Sequence, residues 1–241
     1  MRLWIDTDVG DSPDDTVALW CAARLHSVDL IGISTVDGDV EQRARIARSI
    51  VPDVDVVAGS PIPQTVAETE ALLGIGPWTN CAALAAEQAL PPRVVVMGGV
   101  LGPIVYRGEV QTVEHNVGAD PAAANKLLST TGGLIVVPLD ATVRVTMSED
   151  DEQLLANAIP GLREQLERWR EKNGQVPLVL HDPAALLVLA GERIARLETR
   201  RLTVEDDGTM RSSIDAPAQR VVSHIDADAT RARIRALAEG D

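Results

Sequence analysis

Arg2-Leu3-Trp4-Ile5-Asp6-Thr7-Asp8-Val9-Gly10-Asp11-Ser12-Pro13-Asp14-Asp15 opens the 241-residue chain. Leu3 to Asp6 reads as a short buried strand and Asp14 to Leu25 as a helix, joined by a loop so acidic that five carboxylates fall in the ten residues from Asp6 to Asp15. Strand, Gly-containing loop and helix in succession are the unit of a parallel sheet with crossover helices. The unit recurs downstream. Further strands are predicted at Leu30 to Val36, Val54 to Ala58, Ala71 to Ile75, Val94 to Met97 and Leu134 to Pro138. The intervening helices are predicted at Val40 to Ile50, Thr79 to Ala89 and Pro121 to Leu128. Each strand runs into a loop rich in Gly, Asp, Pro or Asn, which in an open α/β sheet is the ligand-binding edge.

Beyond residue 148 the pattern changes. A single charged amphipathic helix is expected from Glu149 to about Lys172, then a strand at Pro177 to Leu180 leading into His181-Asp182-Pro183 and an Ala/Leu-rich helix. Arg196 to Ile214 reads as a β-hairpin around Asp206-Asp207-Gly208, followed by a strand at Arg220 to Ile225 and a C-terminal helix. With no linker, repeat or low-complexity stretch, residues 1–241 are expected to form one domain. The predicted class is α/β, an open, mostly parallel, Rossmann-related sheet with helices on both faces and a C-terminal hairpin.

Composition narrows the function. A formal charge of −14 excludes a nucleic-acid backbone binder. No apolar run approaches the roughly 20 residues of a membrane span, and the N-terminus reads as a strand rather than a leader, so a cytoplasmic protein is expected. Cys21 and Cys81 are too few and too far apart for a disulfide framework or a zinc knuckle. Four Trp and Tyr106 are the only aromatic residues, leaving little for a base-stacking platform.

The acidic loop raises the chemical question. Asp14 and Asp15 alone are explained by the dipole at a helix start. Asp6 and Asp8 at a strand end are not, and so many like charges repel unless something positive joins them. A hard divalent cation with oxygen ligands is the sharper reading. His181-Asp182 is a second collecting point, either a satisfied hydrogen-bonded pair or a further carboxylate beside a proton donor. Gly38-Asp39, Gly76-Pro77-Trp78-Thr79-Asn80 and Glu114-His115-Asn116 add polar groups at the same edge, although caps and solvated turns account for such residues equally well.

The order of these motifs resembles the inosine-uridine nucleoside hydrolase family. Asp6-Thr7-Asp8-Val9-Gly10 followed by Asp14-Asp15 is similar to its N-terminal motif, here lengthened by Asp11-Ser12-Pro13. Thr35 to Asp39, Val57-Ala58-Gly59, Gly76 to Asn80, Val96 to Gly99, Glu114 to Asn116, Asp120-Pro121, Pro138 to Thr142 and His181 to Pro183 follow in the family's order. The resemblance implies calcium-dependent hydrolysis of the N-glycosidic bond of ribonucleosides, with a place in purine or pyrimidine salvage. It implies Ca²⁺ held by Asp8, Asp15, Asp182 and the carbonyl of Ile75, gripping the ribose hydroxyls. Asp8 is then the base that takes the proton of the attacking water, and His181 the donor to the leaving base. Asp14, Asp39, Met97, Glu114 and Asn116 are implied to bind substrate.

Two departures qualify this. Asp39 stands where the family usually carries Asn, and only Ser60 to Leu72 separate two motifs that normally flank a longer covering segment. A more open pocket and a homo-oligomer that covers it are therefore expected. Two other readings remain: a catalytically weak nucleoside- or ribose-binding protein on the same fold, and a DxD-type phosphatase with Asp6 as nucleophile.

Overall fold

A computed structural model describes residues 1–240, with the side chain of Pro63 left aside. The first half alternates as the sequence predicts: β1 (Arg2–Thr7), α1 (Pro13–Ala22), β2 (Asp29–Thr35), α2 (Val40–Ile50), β3 (Asp55–Val57), α3 (Pro63–Ala67), β4 (Ala71–Gly74), α4 (Thr79–Ala86) and β5 (Arg93–Met97). A small hairpin, β6 (Ile104–Tyr106) with β7 (Glu109–Gln111), interrupts the rhythm before α5 (His115–Ala119), α6 (Pro121–Thr130), β8 (Ile135–Val137) and α7 (Leu139–Thr142). The remainder is α8 (Glu149–Ala158), α9 (Leu162–Asn173), α10 (His181–Ala190), β9 (Ala195–Val204), β10 (Met210–Ser212), β11 (Ala218–Ile225) and α11 (Ala227–Glu239).

Nine strands form one sheet in the order β10-β9-β11-β8-β5-β4-β1-β2-β3. From β3 to β11 all neighbours are parallel, and β9 and β10 add an antiparallel edge. Strand alternation divides the core. Leu3, Ile5, Leu73 and Val95 point to one face with residues of α1, α2, α9, α10 and α11. Trp4, Leu72, Val94 and Val96 point to the other, against α4 and α6. Helices α1 and α10 are buried nearly all round, so they show no amphipathic stripe and their Ala/Leu content makes the contact between them.

Chain order reverses at β1, whose neighbours are β2 on one side and β4 on the other. Such a switch point opens a crevice beyond the strand ends. Gly76 lets the loop after β4 pack closely at its edge: a Cβ there would lie 2.6 Å from Val36 Cγ1 and 2.9 Å from the Asp8 amide.

Two expectations are corrected. The charged segment is two helices, because Pro160 cannot continue the hydrogen-bond ladder and Gly161 turns the chain at a φ of 77°. Pro177 to Leu180 is no strand of the sheet; Val179 makes only an isolated antiparallel bridge to Thr146. The β6–β7 hairpin and helices α3, α5 and α7 were not predicted, being three to five residues long and without a legible period.

Candidate active site

The crevice is a cavity of about 670 Å³ lined by Asp8, Asp14, Asp15, Ile75, Met97, Glu114, Asn116, His181 and Asp182. These are all the expected site residues except Asp39. Asp39 is exposed and caps α2, accepting from the Gln42 amide at 2.9 Å. As a helix cap a carboxylate serves as well as an amide.

Asp14 and Asp15 reach the cavity from the first turn of α1 because Pro13 fixes the helix start, and Asp182 reaches it from the first turn of α10. Each offers a carboxylate oxygen within 4.8 Å of the other two, and all three are buried. Burial and the charges of Asp8 and Asp14 push Asp15 well above the usual carboxylate range. Burial and its acidic neighbours do the same to Asp182. The Thr7 hydroxyl orients Asp15 at 2.6 Å.

Asp8, whose charge raises the pKa of both Asp15 and Asp182, also groups with Asp37 and His115. Its Oδ2 is 3.7 Å from His115 Nε2, and its pairing with the ring raises the imidazole's pKa. The loop beneath is fixed by buried Arg43, which donates to the carbonyls of Asp8, Val9 and Asp37 and pairs with Asp11 at 3.0 Å.

The other wall is held by Glu114, which accepts from the amides of Gly99 at 2.8 Å, Asn116 at 2.9 Å and Val117 at 3.2 Å. Burial raises its pKa while these three amides oppose the shift. Glu114 thereby caps α5 and turns Asn116 inward, where Nδ2 donates to the carbonyl of Ile75 at 3.2 Å and of Met97 at 3.3 Å.

His181 has both ring nitrogens engaged. Nδ1 is 2.7 Å from Thr142 Oγ1 and Nε2 is 3.1 Å from the Tyr106 hydroxyl. Burial lowers its pKa to about 4, so the ring is neutral at pH 7. Tyr106 arrives on the β6–β7 hairpin, and burial pushes its phenol up to about 12. This hairpin, with Arg107 at its tip, and Trp169 and Lys172 of α9 line the cavity and were missed from the sequence. The Arg107-Gly108 pair before a Glu-Val-Gln run was the available turn signal.

The phosphatase reading fails here. Asp6 is 1% exposed and absent from the cavity; its Oδ1 is held by Ser34 at 2.5 Å and Asn80 at 2.8 Å. Burial raises its pKa to about 7, the opposite of what a nucleophilic carboxylate needs.

Comparison with known proteins accords with this geometry. A family model described as inosine-uridine preferring nucleoside hydrolase matches residues 62–232. Uridine nucleosidase 1 of Arabidopsis thaliana is 23% identical over 270 aligned residues, covering 86% of this chain and 79% of that protein. An uncharacterized protein of Schizosaccharomyces pombe is 30% identical over 210 residues, covering 64% of this chain; the match spans 62% of that relative's length. Among solved structures, a plant nucleoside hydrolase superposes with a TM-score of 0.84 at 16% identity, covering 100% of this chain and 99% of its own. The inosine-uridine preferring nucleoside hydrolase of Bacillus anthracis gives 0.77 at 19% identity, covering 99% of both chains. At those identities the superpositions establish the fold. With the family model matching well over half of its length, the chain belongs to the inosine-uridine preferring nucleoside hydrolase family.

Proposed function

We propose that this protein hydrolyses the N-glycosidic bond of ribonucleosides to free base and ribose, with a divalent cation, Ca²⁺, as cofactor. The observation that carries the reading is the convergence of Asp14, Asp15 and Asp182, buried and within 4.8 Å of one another, in the switch-point cavity. Three carboxylates that cannot all ionise unaided fit a hard cation with oxygen ligands, and the Ile75 carbonyl and Asp8 border the same cavity. The residues that would hold the ion are Asp15 and Asp182, with Asp14, Asp8 and the Ile75 carbonyl around them. When bound, it supplies the positive charge that lets these acids ionise, coordination for two sugar hydroxyls, and a lowered pKa for water.

The chain's own groups do the rest. Asp8, paired with His115 at the cavity lining, takes the proton of the water that attacks C1′ in this reading. Positive charge then grows on the sugar, and the acidic floor of Asp8, Asp14, Asp15, Asp182 and Glu114 opposes it. Asn116, fixed by Glu114, orients the sugar beside Met97. The neutral His181 holds the base side through Tyr106 and Thr142. The outer face of the hairpin, with Val105 71% and Val110 67% exposed, supports a homo-oligomer in which a second copy covers it. Light scattering at micromolar concentration tests that assembly.

A reducing-sugar assay over a ribonucleoside panel tests the activity. Ribose release that is lost in chelator and restored by Ca²⁺ is the expected result. Nucleoside binding without release would establish a binding protein instead.

A further inference from the structure

Building on the proposed hydrolysis, we infer that Arg107, at the tip of the β6–β7 hairpin, is the group that offsets the negative charge of the departing base. The cavity mixes charged and apolar lining, with Ile75, Met97, Leu139 and Trp169 beside its acids. Its floor is acidic, whereas the wall beside His181 carries Arg107 and Lys172. In N-glycosidic cleavage the C1′–N bond breaks with its electron pair passing to the base nitrogen. Water oxygen bonds to C1′, the water proton goes to Asp8, and the base takes its proton from solvent. Positive charge therefore develops on the sugar and negative charge on the base. A substrate laid along this gradient puts ribose on the acids and base toward Arg107.

His181 does not fill that role unaided, since both of its nitrogens are already bonded, to Thr142 and Tyr106. Arg107, by contrast, is fixed without losing its charge. Its guanidinium lies 4.8 Å from the centroid of the Tyr106 ring and 4.7 Å from that of Trp169, and donates to Asn173 Oδ1 at 3.3 Å. Those partners are two rings and a neutral amide. The placement is also strained. Arg107 and Gly108 have φ of 53° and 82°, the tight hairpin geometry that favours Asn-Gly, so an arginine is held where its backbone is disfavoured. Strain of this kind persists where surrounding contacts over-determine it, and the residue so held is an exposed arginine at the lining of the cavity.

The test is Arg107→Gln and Arg107→Lys, each assayed on uridine and on p-nitrophenyl riboside, whose phenolate leaves readily unaided. A charge that acts only as the bond breaks lowers kcat and spares KM. Arg107→Gln is expected to lower kcat on uridine by about 10- to 100-fold, below the loss from a fully enclosed oxyanion donor. On p-nitrophenyl riboside the loss should be at most about threefold, and Arg107→Lys should recover most of the uridine rate by keeping the charge. Equal losses on both substrates, or a lysine variant no better than glutamine, would show that Arg107 merely fastens the hairpin and would overturn the inference. A wild-type protein that binds Ca²⁺ yet releases ribose from neither compound overturns the proposed hydrolysis itself.

Discussion

At the scale of single residues, the cavity and the strand end beneath it carry buried carboxylates whose charge the protein alone does not balance. Asp6, Asp15, Asp182 and Glu114 all have pKa values raised above those of free carboxyls, with burial as the first cause. Between the unfolded and the folded pKa values the folded state holds protons that the unfolded chain has lost. Their contribution to stability is complete below about pH 4 and disappears as pH rises through the folded values, about 7 for Asp6. Chelator-treated protein is therefore expected to melt at a lower temperature at pH 8 than at pH 5.5, and a divalent cation should flatten that slope. Calorimetry across this range checks it; a metal-free Tm that rises from pH 5.5 to 8 would contradict the assignment. Arg43 presents the reverse case. It is 6% exposed and serves three carbonyls and Asp11, so Arg43→Ala should cost about 2–4 kcal/mol in urea unfolding and loosen Asp8.

At the scale of elements, the site depends on loops made rigid by what flanks them. Gly76→Ala brings a methyl against the Asp8 amide and Val36, and is expected to destabilise by about 1–3 kcal/mol and to lower activity by more than stability explains. Comparing kcat with the urea midpoint separates the two. The elements that place the carboxylates were legible because their signals are local. Leu3 to Asp6 is apolar and then acidic, Pro13 precedes Asp14-Asp15, and His181-Asp182-Pro183 sits before an apolar run. The division between α8 and α9 was legible too, at Pro160-Gly161, but the amphipathic pattern continues on both sides and hid it. The β6–β7 hairpin was not legible. Its three-residue strands expose Val105 and Val110, carry no period, and gain their meaning from Tyr106 meeting a histidine 75 positions away. Asp39 is ambiguous for a related reason: a cap and a ligand share one local signature, and the structure shows the cap.

At the scale of the whole molecule, strand order puts one crevice between β1 and β4, and chain segments as distant as α1 and α10 deliver acids into it. The proposed function predicts selectivity for the sugar. A 2′-deoxynucleoside leaves cavity acceptors unpaired, so its kcat/KM should fall by about 10³-fold or more against the ribonucleoside, in line with other sites built around a substrate hydroxyl. Parity between the two sugars would mean that the acids do not grip the ribose. The central claim is that Asp14, Asp15 and Asp182 form one cation-dependent hydrolytic centre. Its most direct test is ribose release from uridine and inosine by chelated and Ca²⁺-reconstituted protein, with bound calcium measured in parallel for wild type and Asp15→Asn. The account predicts about one calcium per chain and activity in reconstituted wild type, and loss of both in the variant with its fold retained. Full activity in excess chelator, or an Asp15→Asn protein as active as wild type, would contradict it.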